Sequence, residues 1–195
     1  MRQILAAFLT AAVALAPARA WAERQVKPFF GGAFAGRTTF FDLDNAAGDA
    51  HLALGGSALV LGELVGVEAD LGRVSAFFRS GDRHLVVAGS VTTLTGNLVL
   101  AMPRRLTQYS LRPYLVGGGG LVHARVKDSL EVLRVSSTLA TIDLGAGATG
   151  FLSDRFGLDW QLRYFRSIGG DQRSQSFGPE QLSFWRATMA LAFRY

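Results

Sequence analysis

The chain has 195 residues, a formal charge of +5 at neutral pH, 23 glycines and no cysteine. Once a leader is set aside, that length suits a single domain with one core. The basic residues are scattered rather than gathered on one stretch, which argues against a nucleic-acid surface, and the lack of cysteine excludes a disulfide framework.

Residues 1–22 read as a cleaved export signal. Arg2 supplies the positive start, Ile4 to Pro17 the apolar stretch, and small residues at Ala18 and Ala20, or at Ala20 and Ala22, fit a cleavage site. Cleavage after Ala22 would leave Glu23 first, and cleavage after Ala20 would leave Trp21. The apolar stretch is shorter than the roughly 20 residues of a spanning helix. Removing residues 1–22 from 195 leaves 173 and takes away Arg2 and Arg19, so the remaining formal charge is +3. No later stretch is uniformly apolar for 18 residues. The longest, Val86 to Met102, is broken by Ser90, Thr92, Thr93, Thr95 and Asn97, which excludes helical membrane spans.

After the leader the chain is a succession of runs that alternate with period 2, the signature of strands. In the first, Pro28 to Phe41, Phe30, Phe34, Thr38 and Phe40 share one face, and Gly31, Ala33, Ala35, Arg37 and Thr39 the other. The second, His51 to Leu61, sets Leu52, Leu54, Ala58 and Val60 against His51, Gly55 and Ser57. A short link leads to the third, where Val65, Val67, Ala69 and Leu71 alternate with Gly66, Glu68, Asp70 and Gly72. After a charged loop from Arg79 to His84, the fourth run, Val86 to Met102, sets Leu94, Leu98 and Leu100 against Thr93, Thr95 and Asn97. Pro103-Arg104-Arg105 ends it.

The fifth run, Leu111 to Val126, starts Leu-Arg-Pro-Tyr and contains four consecutive glycines, Gly117 to Gly120. Its outward face is assigned to Tyr114, Val116, Val122 and Ala124. The sixth, Ser136 to Leu152, sets Ala140, Ile142, Leu144, Ala146 and Ala148 against Thr141, Asp143, Gly145, Gly147 and Thr149. A tight turn, Ser153-Asp154-Arg155, leads to the seventh, with Phe156, Leu158, Trp160, Leu162 and Tyr164 opposite Gly157, Asp159, Gln161 and Arg163. A connection rich in Gly, Ser and Gln, Ser167 to Gln181, precedes the last run, Leu182 to Tyr195. There Trp185, Ala187, Met189, Leu191, Phe193 and Tyr195 form one apolar face, opposite Arg186, Thr188 and Arg194.

Eight runs, an even number, put both chain ends on one side, and tight connections at one end alternate with longer ones at the other. The predicted fold is all-β: an eight-stranded antiparallel up-and-down transmembrane barrel over residues 23–195. Alternation alone does not say which face is inside; a soluble ligand carrier of the lipocalin kind would turn the apolar face inward. Volume decides for a lipid-facing barrel. Phe156, Trp160, Tyr164, Trp185, Met189, Phe193 and Tyr195 are too bulky for eight strands to enclose, while the opposite faces are small or polar. Aromatics also gather at run ends, at Phe40, Phe41, Tyr114, Phe156, Tyr164, Trp185 and Tyr195, as interfacial girdles require. In hydrocarbon every backbone N–H and C=O must be paired, so the last strand must close on the first.

The Gly-rich runs, Arg112 to Tyr114, Gly145 to Gly147, Asp159 to Tyr164 and the terminal Phe193-Arg194-Tyr195 together resemble the small eight-stranded outer-membrane barrel family related to the transmembrane domain of outer-membrane protein A. The resemblance covers essentially the whole chain after the leader. It implies a place in the cell outer membrane, contact with outer-membrane lipids, and recognition of the C-terminal strand ending at Tyr195 by the barrel-assembly machinery. It also implies a monomer, with an extracellular ligand taken, if at all, at the loops. No peptidoglycan-binding domain is expected after the barrel, so tethering by that route is not implied.

The inward faces are expected to hold Arg37, Glu68, Asp70, Asp143, Asp159, Arg163 and Arg186, with Arg73 and Arg194 as further candidates. Opposite charges in a low-dielectric lumen must pair, so ion pairs are expected to plug it. No catalytic, cofactor-binding or metal site is assigned. His51, His84 and His123 lie too far apart in sequence to show ligand spacing, and His123 is followed by Ala124 and Arg125 rather than a serine. Gly117 to Gly120 lacks the Lys-Ser/Thr and helix of a phosphate loop and is read as strand packing. The function expected is structural or surface-interaction. The alternatives are a narrow porin, a lipid A-modifying enzyme assembled in space, and a soluble periplasmic lipocalin-like barrel.

Overall fold

Alternation matures into eight strands: β1 (Glu23–Thr38), β2 (His51–Leu61), β3 (Val65–Ser75), β4 (Val86–Ala101), β5 (Leu111–Asp128), β6 (Arg134–Phe151), β7 (Phe156–Ile168) and β8 (Leu182–Arg194). The computed structural model describes residues 22–38, 51–75, 86–107, 111–128, 134–168 and 182–195. Apart from Ala22, the segment expected to be an export signal lies outside the described residues. Phe40, Phe41, His84 and residues 169–181 do so too, as does the side chain of Arg37.

Each strand pairs antiparallel with its neighbours in sequence, and β8 pairs with β1 to close the barrel. At the seam Val26 lies opposite Phe193, Phe30 opposite Met189 and Phe34 opposite Trp185. Between Phe34 and Arg37 the register slips by one residue, and Ala35 takes a φ of 50°. An extra residue on one strand near a barrel rim is a bulge, and it reverses the facing of the residues after it. Ala35, predicted to face inward with Ala33, is therefore exposed.

The connections at the end holding both described chain ends are tight. Gly62 N–H donates to Val65 O at 2.9 Å between β2 and β3. Leu152 N–H donates to Phe156 O at 2.9 Å, and Phe156 N–H to the Ser153 hydroxyl at 3.1 Å, between β6 and β7. A single 3₁₀ turn, Arg104–Leu106, follows β4.

The barrel is inside-out relative to a soluble protein. Leu98 and Leu144, on the outer wall, are 61% and 68% exposed, whereas Arg163 and Arg186 are 0% and 1% exposed. On β2, β3, β4, β6, β7 and β8 every described residue assigned a face from sequence takes that face except Arg73. Arg73 continues the face of Val67 and Leu71 and points outward. Arg194 sits half-exposed at the rim.

On β5 the predicted facing is inverted: Tyr114, Val116, Val122 and Ala124 are buried inside, and Leu111, Leu115 and Leu121 face out. Tyr114 accordingly belongs to the lumen and not to a girdle. The reason is that both ends of the lumen carry an apolar cluster, the one at the turn end beside a charged rim. Leu59, Leu61, Val99, Ala101, Tyr114 and Val116 cluster at the turn end, and Val74, Val91, Val122, Leu139, Phe165, Leu182 and Phe184 at the other. A strand that touches both clusters is apolar on its two faces and shows little alternation.

Close strand approach explains part of the glycine content. A Cβ on Gly120 would come within 2.7 Å of Thr95 Cα and nearer still to Leu94 O. At Gly96, which faces out, a Cβ would meet nothing within 4 Å. Gly120→Ala is thus expected to destabilise the barrel by about 1–3 kcal/mol, and Gly96→Ala to stay within about 0.5 kcal/mol of the parent. Urea unfolding followed by tryptophan fluorescence measures both, and equal effects would mean that close approach of β4 and β5 does not require the glycine.

Candidate functional site

The side chains that could carry chemistry lie in the lumen, where the described residues bury five acids and four bases. At the turn-end rim Glu23 is the hub. It pairs with Arg104, with Arg112 Nη1 at 3.4 Å and with Arg194 Nη1 at 3.2 Å. Arg112 also donates from Nε to Met102 O (3.0 Å) and from Nη2 to the carbonyls of Gly62 (3.2 Å) and Glu63 (2.7 Å). One guanidinium thereby ties together the start of β1, the turn between β2 and β3 and the end of β4. This is the effect of the Arg-Pro-Tyr start of β5: Arg112 and Tyr114 point in, and Pro113 sits exposed between them.

Above the rim, Lys27 Nζ pairs with Asp159 Oδ2 at 3.0 Å and lies 4.9 Å from the Tyr114 ring centroid. The Tyr114 hydroxyl donates to Asp159 Oδ1 at 2.9 Å and accepts from Gln161 Nε2 at 3.0 Å. Tyr114 fits because Gly147 faces it; a Cβ there would lie 2.5 Å from the ring.

Higher again, Arg163 pairs with Glu68 and, through Nη1, with Asp143 Oδ2 at 3.2 Å. Asn97 completes the cluster with its amide oxygen toward Arg163 Nη1 (2.6 Å) and its nitrogen toward Asp143 Oδ1 (2.9 Å), the orientation that satisfies both. Arg186 pairs with Asp70 through a single nitrogen, Nη2, which donates to both carboxylate oxygens at 2.9 Å, and its guanidinium lies between the rings of Phe29 (4.7 Å) and Phe165 (4.8 Å). Gly72 leaves the space that its guanidinium occupies.

These contacts cross the lumen. Glu68 and Asp70 on β3 reach Arg163 on β7 and Arg186 on β8, while Lys27 on β1 reaches Asp159 on β7. Beyond Arg186, toward the long loops, Phe165 and Phe184 stack at 5.0 Å within the apolar cluster.

Of the inward charges expected from sequence, Glu68, Asp70, Asp143, Asp159, Arg163 and Arg186 meet in the lumen, and Arg194 joins at the rim; Arg73 does not. Sequence reading missed Glu23, Lys27 and Arg112. A signal existed, since Glu23, Gln25, Lys27 and Phe29 keep one parity and are all buried. A strand begun at Pro28 hid it. The histidines are not brought together. His51 lies buried in the lumen wall, and His123 lies on the outer wall, its Nδ1 2.8 Å from Thr138 Oγ1 and its Nε2 accepting from Arg125 Nε at 2.9 Å. Among the described residues no group of three or more His, Asp or Glu side chains is placed to hold a metal ion.

No family model and no curated protein sequence matches the chain. Solved structures do. Neisserial surface protein A aligns with a TM-score of 0.62 at 14% identity, covering 86% of this chain and 95% of that one. The outer membrane protein OprG from Pseudomonas aeruginosa aligns at 0.56 and 14%, covering 89% and 96%. The N-terminal β-barrel domain of Pseudomonas aeruginosa OprF gives 0.51 and 16%, covering 89% and 97%. Identities this low speak of fold alone, and on the strength of strand number, order and closure the chain has the fold of the small eight-stranded outer-membrane barrels.

Proposed function

We propose that the protein is an integral outer-membrane barrel with a structural or surface-interaction role, a sealed lumen and no catalysis. The observation that carries this reading is the inverted distribution of polarity: ion pairs line the inside, and leucine, valine and aromatic side chains cover the outside. A soluble ligand carrier needs the reverse.

The outer aromatics pair with one another at two levels, with Phe30 and Trp160 on the wall between them. Phe156 packs edge-on against Phe193 at 5.4 Å near the turns, with Tyr195 exposed beside them, and Tyr164 packs on Trp185 at 5.1 Å toward the long loops. Phe156 and Tyr164 are eight residues apart on β7, roughly 26 Å along the strand and about 19 Å along the membrane normal at a tilt near 45°. That separation sits within an apolar band of about 25 Å. Export through the leader, recognition of β8 by the barrel-assembly machinery and a monomeric state in the membrane belong to the same reading, as does a surface ligand held by the loops.

The lumen is sealed because ion pairs span it and apolar clusters lie toward both ends. The purified protein in planar bilayers is therefore expected to give no single-channel steps. Steps that change on Glu68→Gln would establish a pore instead. Cells lacking the protein are expected to keep their lipid A unchanged, and an altered lipid A that depends on His123 would establish an enzyme.

A further inference from the structure

Register places three consecutive rows of outward side chains across β1 to β5. The lowest runs Val26, Ala58, Ala69, Gly96, with Phe193 of β8 at its start. The next runs Pro28, Gly56, Leu71, Leu94, Leu121, and the third Phe30, Leu54, Arg73, Thr92, His123, continuing to Thr138 on β6. Small residues in the first two rows leave a dent in the wall. It is an open, almost wholly apolar groove of about 460 Å³ bounded by Val26, Pro28, Phe193, Leu71 and Leu94 and floored by Gly56, Ala58 and Ala69. Arg73 is the next outward residue of β3 after Leu71, which bounds the groove, on the side of the long loops.

Arg73 is exposed and makes no ion pair among the described residues, whereas every charged side chain buried in the lumen has a partner. Two strands away, Arg125 and His123 hold each other, and Thr138 holds the other ring nitrogen. Ser75 and Ser90 face one another across β3 and β4 just above Arg73 and Thr92. No acidic side chain lies on this part of the outer wall among the described residues; the outward acids Glu63 and Asp154 sit in turns at the opposite end. The two arginines thus mark where the apolar wall of β3 to β5 stops, on the side away from the chain ends.

We propose that this face of β1 to β5 is a binding site for a phosphate-bearing lipid of the leaflet on the loop side, one acyl chain lying in the groove and the phosphate held by Arg73 and Arg125, with His123 beside them. Charge and continuity select that occupant. The groove takes only hydrocarbon, the cluster above it takes only an anion, and one amphiphile satisfies both in the orientation the bilayer imposes. Guanidinium groups suit phosphate oxygens, which they can engage in bidentate fashion. The site rests on the membrane reading of the barrel.

The test uses the folded barrel in octyl glucoside, an uncharged detergent without phosphate. Native mass spectrometry reads binding of lipid A carrying its phosphates against the same lipid dephosphorylated. The phosphorylated form is expected to bind about tenfold more tightly, and Arg73→Gln or Arg125→Gln to weaken it about fivefold each. Gly56→Leu, whose Cβ would meet its neighbours at an ordinary 3.7 Å, fills the groove and weakens both forms. Arg24→Gln, outward at the opposite rim, leaves binding unchanged.

Equal binding of the two lipids, or no effect of Arg73→Gln in a variant that keeps its heat-dependent gel mobility, overturns the site while leaving the membrane reading intact. Displacement by millimolar inorganic phosphate alone would also overturn it, by showing an ion site that needs no lipid. A protein with no heat-dependent mobility and no entry into vesicles would overturn both readings together.

Discussion

Removal of Leu182–Tyr195 is expected to abolish the closed barrel altogether. In the intact protein β8 satisfies the backbone of β7 on one side and of β1 on the other. Without it, two full strand edges face hydrocarbon, where each unpaired N–H or C=O costs several kcal/mol. The loss reaches inside as well. Arg186 leaves with β8, so Asp70, 1% exposed, is left without its ion-pair partner.

The measurement is gel mobility of boiled and unboiled protein taken from outer membrane. Full-length protein should shift on heating, and the truncated chain should show no shift and should leave the membrane fraction. A shift that survives truncation would mean that β7 and β1 can close on each other, and that the last strand is dispensable for closure.

Arg163→Met is expected to be the most damaging single substitution in the lumen. Arg163 is wholly buried and serves two acids, Glu68 and Asp143, as well as Asn97. Breaking a buried pair costs about 3–5 kcal/mol, mostly because the remaining charge stays desolvated, while replacing a whole buried pair with apolar groups is often neutral. The double variant Arg163→Met, Glu68→Leu should therefore recover part of the loss. Arg194, at the half-exposed rim, should cost no more than about 1 kcal/mol when replaced, the usual limit for solvent-screened pairs. Urea unfolding of the refolded proteins ranks the three. Equal effects at Arg163 and Arg194 would mean that the cross-lumen pairs do not hold β3 to β7 and β8.

Strand number, order and most facings were legible because most strands present a polar or small face to the lumen and an apolar face outward. On β3, Glu68 and Asp70 against Val67 and Leu71 leave no ambiguity. Where that contrast weakens, the reading failed. β5 carries Val116 and Val122 inside and Leu115 and Leu121 outside, separated by glycines that prefer neither face. Its inward set was indicated only by Arg112 and Tyr114, whose partners, Glu23 and Asp159, lie on distant strands. Lys27 escaped notice for a related reason: a lysine next to Pro28 reads as solvated chain until Asp159 is known to face it.

Period-2 alternation, eight runs and an unbroken apolar face on the last strand determined by themselves that this chain forms an eight-stranded antiparallel barrel with its bulky apolar residues outward. Those are properties of side-chain direction and volume, which are local. The choice of ion-pair partners, the bulge at Ala35, the inward face of β5 and the meeting of Arg73 with an apolar groove below it were decided only in three dimensions. Each depends on the register that closure imposes, and closure brings together residues as far apart in sequence as Glu68 and Arg163, or Asp70 and Arg186. Alternation records which side of the wall a residue occupies; the register decides what it meets there.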